Sequence, residues 1–110
     1  MPFDETVAQR VRHELAQQTG ITERKMFGGL SFLLHGNMCC GVLADHLVLR
    51  LGPAESEVAL GQPHTRVMDF TGKPLKSMVY VEPAGYASAA ALRQWLERAV
   101  AFAATLPPKS

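Results

Sequence analysis

The stretch 30–51, LSFLLHGNMCCGVLADHLVLRL, constrains the fold more than any other part of the chain. It holds three short apolar runs separated by turn residues. LSFLL meets His35-Gly36-Asn37, MCCGVLA meets Asp45-His46, and LVLRL stops at Gly52-Pro53. Gly36 and Asn37 supply the positive φ that a tight hairpin turn needs. A parallel pair needs a crossover of about a dozen residues or more, so strands joined this closely must be antiparallel neighbours. The centre of the chain is therefore expected to be a meander.

The flanks read as follows. Residues 4–18, DETVAQRVRHELAQQ, carry Val7, Val11 and Leu15 at four-residue spacing with Ala8 beside them, an amphipathic helix. Asp4 is its expected N-cap and Gly20 its stop. ERKMF leads into Gly28-Gly29, a flexible bend. Pro53 opens a short helix, PAESEVAL, that Gly61 closes. TRVMDF and KSMVYV read as two further strands joined through TGKPL. Ser88 caps a helix over 89–104, whose buried face is Leu92, Trp95, Leu96, Ala99, Phe102, Ala103 and Leu106. Arg93 and Glu97 are spaced as an i,i+4 pair on its wet side. The expected order is α-β-β-β-α-β-β-α: an α+β fold of two layers, with a five-stranded antiparallel sheet and the N- and C-terminal helices on one face. Residues 1–106 are read as one domain and 107–110 as a short tail.

A chain of 110 residues with 47% hydrophobic content can bury roughly two-thirds of its unfolded surface. The net charge of +1, from 11 basic and 10 acidic side chains, lacks the basic excess of a strong nucleic-acid binder. No apolar run approaches the ~20 residues of a membrane span, so no membrane partner is expected. The opening MPFDETVAQR is polar and acidic, unlike a signal peptide. With two cysteines and no export signal, a reducing cytoplasm is expected.

Side chains alternate across a strand. Leu30, Phe32 and Leu34 share one face while Leu33 takes the other; Leu47, Leu49 and Leu51 share one while Val48 takes the other; SMVYV is apolar on both. A sheet with one face in water alternates more cleanly. The face away from the helices is therefore expected to be partly covered, most simply by a second copy of the chain. A monomeric mass at micromolar concentration would contradict that homodimer.

The same alternation puts Cys39 and Cys40 on opposite faces, where they cannot chelate one ion, and adjacent residues in a straight strand suit a disulfide poorly. Buried structural cysteines are expected, with redox sensing at one thiol or metal binding as the competing readings. His13, His35, His46 and His64 are scattered along the chain, and no cofactor is expected. Gly28-Gly29 leads into a strand rather than a helix, and Gly72-Lys73-Pro74 lacks the leading glycine and the Ser or Thr of a P-loop. Both read as backbone devices; Lys73 at a loop tip could alternatively meet an anion or a partner carboxylate. Arg24, Lys25, Arg50, Arg66, Lys73 and Lys76 lie among Asp45, Glu55, Glu57 and Asp69, a mixture that suits solvated strand faces. No catalytic triad or Cys/His pair is legible, so catalysis is not expected.

RKMFGGLSFLLHGNMCCGVLADHLVLRLGP, MDFTGKPLKSMVYVEP and LRQWLERAVAFAATLPPK together resemble the TfoX N-terminal domain family. The resemblance spans nearly the whole chain. It implies terminal helices around a small antiparallel sheet. It places Met26, Phe27, Gly28, Gly29, Gly72, Lys73 and Pro74 on the family's motif positions, as candidate interaction residues. The family is named for a competence regulator, which implies a small cytoplasmic regulatory module with a protein partner and no catalytic residues to carry over. The chain ends in a short tail where that regulator continues into a helical domain. Nucleic-acid binding through the central basic residues, and a small-molecule or metal-binding protein, are the alternative readings.

Overall fold

A computed structural model describes residues 3–26, 28–69 and 74–108. The first helix, α1 (Glu5–Glu14), starts where expected: Asp4 Oδ1 accepts from the backbone N–H groups of Thr6 at 2.8 Å and Val7 at 3.3 Å. Those donors have no partner within the helix, and the side-chain oxygen replaces water there. The helix ends earlier than its sequence suggests. The apolar stripe stops at Leu15, and Ala16 and Gln18 donate three residues back, to His13 and Leu15, winding the end into turns. Val7, Ala8, Val11 and Leu15 are all buried.

The sheet has six strands, not five: β1 (Ile21–Met26), β2 (Gly29–Leu34), β3 (Asn37–Leu43), β4 (His46–Arg50), β5 (Thr65–Asp69) and β6 (Pro74–Val81). All neighbours are antiparallel, in the order β1-β2-β3-β4-β6-β5. The sixth strand is ITERKM, which ERKMF only partly overlaps. Its alternation is masked because an inward position holds a charge: Glu23 faces α1, where Arg12 binds it through two bonds of 2.6 and 2.8 Å. A charged edge strand also resists pairing with other chains. The chain turns from β2 to β3 at His35 (φ 50°) and Gly36 (φ 83°), so histidine supplies one of the two positive angles, while Asn37 opens β3.

Helix α3 (Ala89–Ala104) lies over β2, β3 and β4, and α1 packs against α3 and β3. Helix α2 (Pro53–Leu60) covers β6 and β5 and joins the same core through Ala59. Ser88 caps α3 by accepting from the Ala91 N–H at 3.0 Å. The core places Leu30, Phe32 and Leu34 of β2 beside Val42 and Cys40 of β3, Leu47 and Leu49 of β4, and Val79 and Val81 of β6, beneath Leu92, Trp95, Leu96 and Ala99. Each such Leu or Phe contributes about 1.5–3 kcal/mol by leaving water. Phe102 and Leu106 are only half-buried at the end of that face. The i,i+4 pairing expected of Arg93 gives way to a longer link: its guanidinium binds Glu14 of α1 at 3.1 Å, joining the two terminal helices.

Candidate interaction face

One register row crosses the whole sheet. Arg24 pairs with Ser31, Ser31 with Gly41, Gly41 with Val48, Val48 with Tyr80, and Tyr80 with Arg66. The neighbours of these residues along each strand fill the core, so the row itself faces away from the helices. Thr65, next to Arg66, confirms the sense at the far edge: its hydroxyl donates to the Ala59 and Gln62 carbonyls on the helix side. Six strands spaced ~4.8 Å apart put the two arginines ~24 Å apart.

The floor of this row is low and sheltered. Ser31 is 5% exposed, Gly41 is buried and Val48 is 3% exposed. Val48 lies outside the core cluster, so its neighbours on the open face are what cover it. Gly41 allows no side chain: a Cβ there would come within 2.7 Å of the Leu30 carbonyl oxygen. Half-buried side chains flank the floor, with Leu33 paired to Met38 on one side and Leu43 paired to His46 on the other. A lane of small residues thus runs between two apolar shoulders, with a cation at each end.

The Arg66 end is ordered by hydrogen bonds. Asp45 Oδ1 lies 3.2 Å from His46 Nδ1, and His46 Nε2 lies 3.1 Å from Arg66 Nη2. This chain assigns the Nδ1–H tautomer, which donates to Asp45 while Nε2 accepts from the guanidinium. The His46 and Tyr80 rings sit 5.4 Å apart, tilted by 48°. Arg50 belongs elsewhere; its guanidinium lies over the Phe102 ring of α3 at 5.7 Å.

The residues proposed from motifs do not gather. Met26 and Gly29 close the β1–β2 hairpin with Gly28 at φ 79°, and Pro74 opens β6 opposite Asp69. These hairpins sit at opposite ends and on opposite edges of the sheet. Phe27, Gly72 and Lys73 lie outside the described residues. Pairing register, rather than motif, brings Arg24 and Arg66 onto one line.

The cysteines depart from the straight-strand expectation. Phe32 pairs with Cys40 but Leu33 pairs with Met38, so Cys39 is the extra residue of a β-bulge. Both side chains enter the helix-side core, fully buried and free, instead of facing opposite sides. Their mutual hydrogen bond and burial push the Cys40 thiol well above its ordinary pKa. Among the described residues no three His, Cys, Asp or Glu side chains cluster as metal ligands. A cleft of about 390 Å³ between α1 and α3 is spanned by the Glu14–Arg93 pair. No helix among the described residues is long and apolar enough to cross a membrane.

The family model for the TfoX N-terminal domain matches residues 13–103. That range includes all six strands, the whole lane and nearly all of α3. No curated protein and no solved structure matches the chain.

Proposed function

Since the chain belongs to the TfoX N-terminal domain family, we propose that it is a regulatory interaction module of the cytoplasm, docking a protein on the open face of its sheet without a catalytic step of its own. The observation that carries this reading is the apolar surface opposite the helices. Leu33, Met38, Leu43, Met78 and Tyr80 are half-buried, and Val48 is nearly fully buried without belonging to the core. Charged residues are the usual means of keeping such a face wet, and here they stand only at the margins of the row. Two kinds of occupant suit an apolar sheet face, a second copy of the chain or a different protein.

A photo-crosslinking residue placed in cells at Leu33 or Leu43 tests this, with Gln9 on the exposed side of α1 as the control. Discrete protein adducts from the two sheet positions and none from Gln9 are expected. Equal adducts from all three positions, or none from the sheet, would count against the reading.

A further inference from the structure

The lane can be read for its occupant. Resting on the docking reading above, the geometry points to an acidic amphipathic helix of another protein, laid across the strands from Arg24 to Arg66.

Three features of the row select that partner. First, its two charges have the same sign: Arg24 and Arg66 are both exposed, and no acidic residue lies in their row. A second copy docked face to face must rotate about a two-fold axis lying between the sheets. An axis along the strands sets Arg24 of one copy over Arg66 of the other. An axis along the row sets each arginine over its own equivalent. Both arrangements oppose like charges, which favours a different, acidic partner.

Second, the dimensions suit a helix. Residues on one face of a strand repeat every ~6.8 Å, so the two shoulders stand ~13 Å apart across the floor. A helix is ~10 Å wide with its side chains, and it covers the ~24 Å between the arginines in ~16 residues. Ser31 and Gly41 in the floor let a backbone approach closely.

Third, the chemistry of the shoulders is apolar. Leu33, Met38 and Leu43 dominate, and the one ring pair, His46 with Tyr80, stands near a single end. A single-stranded nucleic acid would call for stacking rings along its path and a basic excess. The chain has a net charge of +1. An apolar stripe flanked by carboxylates meets this surface better. The His46 bond holds the Arg66 guanidinium in place, so less side-chain entropy is lost when a carboxylate arrives.

The test is selection from a displayed library of 16-residue amphipathic helices with a fixed apolar stripe, the end positions varying among Glu, Gln and Lys. Wild-type protein is expected to enrich Glu at both ends, and the R24E/R66E double variant to enrich Lys. Reversing either arginine alone should weaken a selected Glu-ended peptide by roughly 5- to 10-fold at low salt, with the difference shrinking as salt is added. Leu33→Glu, with Met38→Glu as a second variant and folding checked by circular dichroism, should abolish binding. Peptides that need Leu33 yet show no end preference would overturn the acidic partner while leaving the docking face standing. Peptides indifferent to both Leu33→Glu and Met38→Glu would overturn the docking face itself. A wild-type dimer in sedimentation equilibrium, dispersed by Leu33→Glu, would overturn the proposal in favour of a second copy. Tighter binding of a fluorescent 16-nucleotide oligo-dT, lost in R24E/R66E, would overturn it in favour of nucleic acid.

Discussion

Gly52 joins β4 to α2, and its replacement by alanine is the sharpest test of how the second half of the fold is attached. Two independent costs act there. The backbone has φ 83° and ψ 162°, a region essentially confined to glycine, where another residue costs about 1–3 kcal/mol. A Cβ would also come within 2.5 Å of Phe102 Cε1 and 2.9 Å of Cδ1. The ring has limited room to yield, because Gly52 is buried beneath it and the Arg50 guanidinium lies over it. Forcing an extra methyl into packed surroundings costs about 1–3 kcal/mol. Gly52→Ala should therefore lose about 2–5 kcal/mol, a large share of a typical total of about 5–15 kcal/mol. A double-mutant cycle in urea separates the terms. Adding Phe102→Ala should remove the steric part, giving a favourable coupling of about 1–3 kcal/mol, while the backbone part persists. A Gly52→Ala protein within about 0.5 kcal/mol of wild type, the level of an ordinary surface change, would refute the conformation assigned to this junction.

Three further outcomes follow from bonds and burial. Glu23 is held below its ordinary pKa by the hydrogen bonds of the Arg12 guanidinium, so its contribution is present above the unfolded carboxylate value and fades as pH falls through the folded one. Glu23→Gln should cost about 0.5–1 kcal/mol near pH 7, discounted because both groups are partly exposed, and nothing in strong acid; urea midpoints at both pH values check this. The raised Cys40 pKa has the opposite consequence: the unfolded thiol ionises first, so stability falls as pH rises past about 8.5, and Cys40→Ala should flatten that alkaline decline. Asn37 is 3% exposed and donates from Nδ2 to the Pro107 carbonyl at 2.8 Å, so Asn37→Ala should cost about 1 kcal/mol and speed amide exchange after α3.

Much of the helix-facing architecture was legible in the sequence because it follows from local chemistry. Asp4, Pro53, Gly61 and Ser88 mark helix ends by groups that act within one turn, and Leu47, Leu49 and Leu51 fix a strand face by alternation alone. β1 was hidden because Glu23 points inward and finds its partner on another element. The bulge at Cys39 was hidden for a related reason: one extra residue reverses the facing of its neighbours, and only the partner strand reveals it. The candidate lane was half legible. Val48 and Leu33 announced a second apolar face, but Arg24 and Arg66 lie on one line only because β6 inserts between β4 and β5. That pairing depends on residues far apart in sequence, beyond the reach of periodicity.

The placement of α3 also sets a timetable for synthesis. The helix that roofs β2, β3 and β4 comes last among the elements, while those three strands are complete by Arg50. Roughly 50 residues separate the two events, which at about 5–20 residues per second leaves an interval of roughly 3–10 seconds. During it Phe32, Leu34, Leu47 and Leu49 have no lid, so the nascent meander is greasy on both sides at once. Whatever shields it on the ribosome must let go in time for Trp95 and Leu96 to settle into place.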